Sequence, residues 1–142
     1  MRRLIPGLLL LGGLAMSGAA CSDDTTDSTL TTPTQTTPGP TVTEPPFTGT
    51  LRMNGAATYP FIATAGGTIT ATLTTLAGAE NIGLSIGTWT GSACQVVIAN
   101  DNAAQASTIS GTVTAAANLC VRVYDPGRLT AAADFSVTIV HP

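Results

Sequence analysis

The sequence predicts an all-β globule at residues 47–142, built as a two-sheet antiparallel sandwich. Three observations lead to this prediction. Apolar residues alternate with Thr, Ser, Ala or Gly at 69–74, 82–86 and 135–139, and a period of two indicates half-buried strands. β-branched residues, which favour strands, are abundant in the globule. Turn-forming residues recur at short intervals between the alternating segments.

Eight strands fit this alternation, and turn chemistry explains where they end. The turn signals lie at 54–55, 65–67, 90–92, 100–102 and 125–127, where Gly, Asn, Asp, Ser or Pro cluster. Short strands joined by short turns are typical of a two-sheet sandwich. We expect the strands at 48–53, 57–64, 68–76, 82–89, 94–99, 106–113, 119–125 and 133–140.

The first twenty residues predict a secretory signal peptide, at 1–20. Met1-Arg2-Arg3 is a short positive head, residues 4–14 are largely apolar, and residues 15–20 are mostly small. The alternative is a permanent membrane anchor. The apolar stretch is disfavoured as an anchor because it is shorter than the ~20 residues that span a bilayer and is interrupted by glycines.

The end of this signal, Gly18-Ala19-Ala20-Cys21, resembles the lipobox of bacterial lipoproteins, in which the cysteine is acylated and becomes the new N-terminus. The alternative is ordinary cleavage after Ala20, which leaves Cys21 free or paired. The resemblance implies a lipid on Cys21, and Ser22 in the next position implies the outer membrane of a Gram-negative bacterium. We therefore expect an envelope protein held at the membrane through its N-terminal lipid.

Residues 21–46 predict a disordered tether that begins with the acylated cysteine. Residues 22–46 hold ten Thr, five Pro, four acids and no base. So few apolar residues cannot bury enough surface to offset the entropy of the chain. Prolines spaced among threonines favour polyproline II, so we expect a semi-rigid spacer between the lipid and the globule.

Several segments of the globule, taken in their order and spacing, resemble the bacterial pre-peptidase C-terminal domain. The resemblance covers 47–142. It implies a jelly-roll-like β-sandwich that is not itself catalytic and that accompanies secreted enzymes, usually peptidases. The segments that carry it lie at 47–51, 59–63, 65–71, 84–87, 120–125 and 134–139.

The charge of the chain argues against nucleic acid as a partner. The chain has no lysine, a net charge of −3 and a pI near 4.7. A protein that binds nucleic acid needs a basic patch to displace the counterions of the phosphates. We therefore expect no contact with nucleic acid.

Catalytic motifs are absent from the sequence. The only histidine, His141, lies one residue from the end of the sequence, where chains usually fray, so we expect no well-held imidazole for a triad. No zinc-ligand spacing and no phosphate-binding glycine loop occur. The four acids of the globule, Glu80, Asp101, Asp125 and Asp134, are scattered. We expect a non-catalytic protein without a cofactor.

Cys94 and Cys120 are the two cysteines that remain for a disulfide in an exported chain. The alternative is a pair of buried free thiols. If Val121 and Val123 face the core, Cys120 lies on the outer face of its strand or beside a bulge. Cys94 then lies on a neighbouring strand of the same sheet or in a loop folded over it.

Three further residues offer oxygen ligands. Asn100, Asp101 and Asn102 form a weak candidate for calcium, because one carboxylate with two amides is a poor start for an ion that takes six to eight oxygens. Turn formation explains the same three residues without an ion. We therefore expect no metal site.

Trp89 and Tyr124 are the candidate ligand-binding residues. Trp89 falls on the opposite parity to Ile82, Leu84 and Ile86, which places it on the outer face or at the rim of a sheet. An exposed tryptophan can stack on a sugar or anchor a protein partner. The alternative is a tryptophan that caps the open end of the sandwich.

We therefore expect a non-catalytic, lipid-anchored envelope lipoprotein that displays a β-sandwich interaction or scaffold module. Two alternatives remain open. One is a glycan- or protein-binding module that uses Trp89 and the neighbouring turns. The other is an accessory module for a secreted peptidase.

Acylation tests the first part of this hypothesis. Replacing Cys21 by Ser removes the thiol that accepts the lipid, so we expect Cys21→Ser to abolish palmitate labelling and to leave an uncleaved precursor or a non-membrane protein. Metabolic labelling followed by membrane fractionation measures both effects. Labelling that survives the substitution would show that Cys21 is not the acylated residue.

Overall fold

The computed structural model describes residues 39–142, and this part of the chain is entirely β, with no helix. The predicted all-β class is confirmed, and each of the eight predicted strands is present. One further strand, two residues long, precedes them. The strands are β1 Val42–Thr43, β2 Phe47–Leu51, β3 Ala56–Ala63, β4 Gly67–Ala77, β5 Ile82–Trp89, β6 Cys94–Ala103, β7 Thr108–Val113, β8 Ala117–Tyr124 and β9 Ala133–His141.

The strands form two antiparallel sheets. Sheet A has the order β1-β9-β4-β7, with β2 also paired to β9, and sheet B has the order β3-β8-β5-β6. β1 and β2 pair with successive parts of β9, separated at Pro45-Pro46, where the chain has no N–H to donate. Without β1, this is the strand order of a jelly roll.

The core lies between the two sheets and is filled by the alternate residues that the sequence pattern assigns to it. Phe47 packs edge-on against Phe135 with ring centroids 5.1 Å apart, and it also contacts Tyr59. The largest fully buried apolar side chains come from five strands of both sheets, namely Leu51, Ile69, Leu73, Ile82, Leu84, Val121, Val123, Val137 and Ile139.

The folded unit begins before residue 47. β1 lies inside the segment predicted as tether, and its two residues pair with Val140 and His141 of β9. The backbone N–H of Glu44 continues this pairing by donating to the carbonyl of Ile139 at 2.9 Å. The signal peptide, Cys21 and the tether up to residue 38 lie outside the described residues.

The predicted turn at 100–102 is wrong, because these residues belong to β6. Register shifts against β5 show that β6 is irregular, and one shift leaves Asp101 and Asn102 unpaired between Asn100 and Ala103. The chain turns later, at 104–107, where Ala106 adopts a φ of 70°. The polar residues 100–102 therefore mark a β-bulge, which inserts an extra residue into a strand without ending it.

The predicted disulfide is present, with the Cα atoms of Cys94 and Cys120 5.8 Å apart. Their strands are not neighbours, since β5 lies between β6 and β8. The start of β6 folds over β5: a Cβ on Gly87 would collide with the carbonyl oxygen of Gln95. Glycine at 87 is thus what allows β6 to cross the outer side of the sheet and reach Cys120.

Loss of the disulfide should weaken the fold without changing it. For two cysteines 26 positions apart, the chain-entropy model gives about 3.5 kcal/mol. We expect Cys94→Ala combined with Cys120→Ala to lower the free energy of unfolding by about 2–4 kcal/mol while the β-type circular dichroism is kept. Denaturant unfolding measures the loss, and wild-type protein in reductant should behave like the double variant. A loss of the β spectrum would contradict this prediction.

Candidate functional site

The two outer faces of the sandwich differ in chemistry. The outer face of sheet A is almost entirely hydroxyl, and its side chains bond to each other: Thr72 to Thr108 at 3.0 Å and Thr70 to Ser110 at 3.5 Å. Such cross-strand pairs stabilise a sheet. The outer face of sheet B instead combines apolar, aromatic and charged side chains, namely those of Pro60, Ile62, Trp89, Val96, Arg122 and Tyr124.

Trp89 lies at the end of β5, opposite Cys94 of β6. It is half-buried and is not among the partly buried hydrophobic residues that pack against the core. Its place in the strand alternation puts it on the outer face of sheet B. This is the position that the ligand-binding interpretation of Trp89 requires. The structure therefore does not support a tryptophan that caps the open end of the sandwich.

Tyr124, the last residue of β8, lies on the same face. It pairs with Gly83, at the opposite end of β5 from Trp89. Its ring covers Gly83, where a Cβ would collide with it. Its hydroxyl donates a hydrogen bond to Asp101 of the β6 bulge. Desolvation and then this bond to a carboxylate raise the pKa of Tyr124 to about 12, so the phenol is neutral at physiological pH.

Trp89 and Tyr124 do not form one aromatic platform. Gly83, beneath Tyr124, and Trp89 are six positions apart on β5. At ~3.3 Å per residue, the two rings are separated by about 20 Å along the strand. The disulfide and Arg122 lie between them on the outer face of sheet B.

The calcium candidate is already engaged by protein donors. Asp101 accepts from Tyr124, Asn102 accepts from Arg128 Nη1 at 2.7 Å, and Asn100 accepts from the backbone N–H of Asn102 at 2.9 Å. A guanidinium beside these oxygens opposes a cation. Within residues 39–142 no group of three or more His, Cys, Asp or Glu side chains could hold a metal ion.

Asp125, which follows β8, holds the loop after this strand in place. Its carboxylate accepts four backbone N–H bonds, from Asn54, Gly127, Arg128 and Leu129. These bonds, that of Asn54 first, lower the pKa of Asp125 because they stabilise its charged form. The carboxylate thus ties the 125–129 loop to the β2–β3 turn, a structural role.

The expectation that His141 lies in a fraying chain end is wrong. His141 is 2% exposed at the end of β9, and its ring packs on Phe61 with centroids 4.9 Å apart. Its Nε2 lies 2.9 Å from Glu44 Oε1 and its Nδ1 3.1 Å from the carbonyl of Pro142. Both ring nitrogens are engaged by protein oxygens, so the imidazole holds the end of β9 in the fold.

Glu44 completes this cluster by accepting a second hydrogen bond, from the hydroxyl of Tyr59 at 2.9 Å. The bond to His141 is the main cause that lowers the pKa of Glu44, against a smaller opposing effect of burial. The same carboxylate raises the pKa of Tyr59. The segment after β1 is therefore fixed to the globule by part-buried polar contacts as well as by strand pairing.

An apolar cleft opens on one side of the sandwich, between β6 and β7. It measures about 150 Å³, and no charged residue lines it. Val97, which is 70% exposed, stands at its rim. Ile98 reaches across to Gly111 and closes part of the gap.

No helix within the part of the chain that the structure describes is long and apolar enough to cross a membrane. Neither a family model nor a curated protein matches the chain.

Four chains of known structure match the fold. One is the crystal structure of Aeromonas hydrophila PliG, a periplasmic lysozyme inhibitor of g-type lysozyme. It is 16% identical, with a TM-score of 0.50, and the match covers 70% of this chain and 83% of that chain. This likeness supports the β-sandwich fold.

The Glu44 cluster should make stability depend on acid. The pKa of Glu44 is lower in the folded chain than its ordinary 4.5, so its contribution is complete above that value and is lost as the pH falls through the lowered pKa. Removing a hydrogen bond to a charged group costs about 1–3 kcal/mol. We expect Glu44→Gln to destabilise the protein by this amount at pH 7, and the difference from wild type to shrink in acid.

Denaturant unfolding at a series of pH values measures this difference. Glu80→Gln is the matched control, because it makes the same substitution at an exposed glutamate outside the Glu44 cluster, and we expect its free energy of unfolding to stay close to that of wild type. A Glu44→Gln deficit that stays constant down to the acid limb would contradict the role of the Glu44 carboxylate.

Proposed function

We propose that the chain is a non-catalytic, lipid-anchored module of the bacterial cell envelope that binds a protein partner through the outer face of sheet B. The observation that carries this proposal is the difference between the two outer faces. One is a self-satisfied hydroxyl surface, and the other gathers the tryptophan, a tyrosine, an arginine and exposed aliphatic side chains.

The composition of the outer face of sheet B is typical of a protein interface. Ile62 is 61% exposed and Val96 45% exposed, so the face offers large aliphatic side chains on both of its edge strands. Tryptophan, tyrosine and arginine are the residues in which binding energy concentrates. Burial of such apolar groups by a partner lowers the free energy of the complex.

The face is also rigid, which favours binding. Trp89 and Tyr124 are on strands, and the disulfide fixes β6 against β8 across the centre of the face. Side chains that are already ordered lose little entropy when a partner arrives. The face therefore needs no rearrangement to present its aromatic and aliphatic groups.

The glycan alternative is less well supported by the geometry. A sugar-binding platform stacks neighbouring rings on successive sugars, whereas Trp89 and Tyr124 are about 20 Å apart along β5. The hydroxyl of Tyr124 is engaged by Asp101. Binding of a glycan by Trp89 alone stays an outcome that the experiment below distinguishes.

The lipid anchor and the envelope location are supported by the sequence of the signal, the lipobox and the Thr/Pro-rich segment. The disulfide fits an oxidising compartment outside the cytoplasm. The structural likeness to a periplasmic inhibitor agrees with such a location.

A glycan-cleaving enzyme of the lysozyme type is the first partner to test, because the similar fold belongs to a lysozyme inhibitor. The support is the fold alone, and fold by itself does not fix function. The peptidase-accessory alternative differs only in the partner. The same face would serve it, and a secreted peptidase is the second probe.

A pair of matched substitutions separates the two faces. Ile62→Asp places a charge on the outer face of sheet B, and Ser110→Asp places the same charge on an exposed strand position of sheet A. We expect Ile62→Asp and Trp89→Ala each to weaken partner binding about tenfold or more, and Ser110→Asp to leave it unchanged.

The measurement uses the full chain in detergent, with purified g-type lysozyme and a secreted peptidase as probes, and a pull-down from envelope extracts to find other proteins. A partner bound equally by Ile62→Asp and Ser110→Asp would contradict the proposed face. Capture of polysaccharide but not protein, lost in Trp89→Ala, would establish the glycan alternative.

A further inference from the structure

A shallow hollow of about 320 Å³ lies in the outer face of sheet B, and Arg122 lines it. One side is formed by Ala56 and Thr58 of β3, and the other by Ala93 and Cys94 at the start of β6. Arg122 is the only charged residue of the lining. The walls of the hollow are therefore uncharged apart from the guanidinium of Arg122.

Arg122 has no counter-ion there. Its neighbours across the strands are Thr58 on β3 and Ser85 on β5, neither of which carries a charge. Its guanidinium carbon lies 5.5 Å from the centroid of the Tyr124 ring, a cation–π contact that orients the group. Among residues 39–142 the guanidinium donates no hydrogen bond and forms no ion pair.

The other two arginines of the globule are in different situations. Arg128 is engaged by the β6 bulge, since Nη1 donates to the carbonyl of Asp101 and to Oδ1 of Asn102. Arg52 is exposed, next to the β2–β3 turn, and is not among the residues that line the hollow. Only Arg122 combines half-burial, an ordered ring beneath it and free donors facing a cavity.

The disulfide builds one side of this hollow. Cys94 is held to Cys120, two positions before Arg122 on β8 and on the same face of the strand. The bond keeps Cys94, which also pairs with Trp89 of β5, close to β8, so that Ala93 and Cys94 line the hollow opposite β3. Without the bond, the start of β6 is free to lift away and the hollow loses its second side.

We propose that this hollow receives a carboxylate side chain, Asp or Glu, of the protein partner. A planar guanidinium binds a carboxylate through two parallel hydrogen bonds, and such pairs are the stronger, charge-assisted kind. The uncharged walls offer no competing acid, and Thr58 offers a hydroxyl beside the anion. This inference rests on the proposed protein-binding function and adds the chemistry of the contact.

The charge around the site limits which partners it favours. Residues 47–142 contain four acids and three arginines, so the globule has no excess of positive charge that would attract a broadly acidic surface. A carboxylate is therefore held by the local geometry of Arg122, and screening by salt in a half-buried site is weaker than at the surface. The hollow favours a partner with one well-placed acid over a broadly acidic one.

A peptide titration followed by NMR tests the site without the partner. The probes are N-acetyl-Ala-Glu-Ala-amide and the neutral isostere N-acetyl-Ala-Gln-Ala-amide, added to the ¹⁵N-labelled full chain in detergent. We expect the Glu peptide to shift the Arg122 Nε–H signal and the amides of Ala93 and Cys94, with saturation in the millimolar range. The Gln peptide should leave these signals in place.

Arg122→Gln should abolish the shifts of the Ala93 and Cys94 amides. Arg122→Lys should weaken these shifts, because an ammonium cannot donate two parallel hydrogen bonds to a carboxylate. Arg52→Gln, which removes the same charge outside the hollow, should behave like wild type. Equal shifts with the two peptides, or unchanged shifts in Arg122→Gln, would overturn the site.

Binding of the captured partner separates the carboxylate site at Arg122 from the protein-binding face of sheet B. We expect Arg122→Gln to weaken it about tenfold or more, as Ile62→Asp does. If Ile62→Asp abolishes binding and Arg122→Gln leaves it intact, the carboxylate site is wrong and the proposed face stands. If neither changes binding, the proposed face itself is wrong.

Discussion

The Cys94–Cys120 disulfide is the interaction on which the proposed binding face depends. It joins two strands that do not pair, so it has to cross β5, and Gly87 provides the space for the crossing. The consequence is local. The start of β6 is held above the sheet, and the hollow at Arg122 exists between this raised segment and β3. A bond that stabilises the fold thus also shapes its surface.

The two sheets divide the remaining tasks. Sheet A receives the entering chain: β1 and β2 pair with β9, and the Glu44–His141 contact fixes the segment between them. Its outer face satisfies its own hydroxyls. Within residues 39–142, sheet B receives no such segment, and its outer face carries the aromatic, aliphatic and cationic side chains. The chemistry that could recognise another protein is therefore concentrated on one side of the sandwich.

Alternation predicted the fold well because most strands bury one face only, and period two then survives in the sequence. It failed where the partner is distant or the pattern short. β1 is two residues in a Thr/Pro-rich segment, and only pairing with β9 makes it a strand. Asn100–Asn102 have turn composition, yet Tyr124 and Arg128 hold them in a bulge. His141 is fixed by Glu44, 97 positions earlier. Arg122 carried one usable signal, its shared parity with Cys120 and Tyr124.

The most direct test of the account compares the ¹⁵N spectra of the oxidised and the reduced full chain. If the disulfide holds β6 over sheet B, reduction shifts the amides of the crossing segment and of its neighbours on β5, β8 and β3. The amides of β4, β7 and β9 in sheet A then keep their positions. Changes spread evenly over both sheets, or no change around Gly87 and Arg122, would contradict the claim that this bond shapes the binding face.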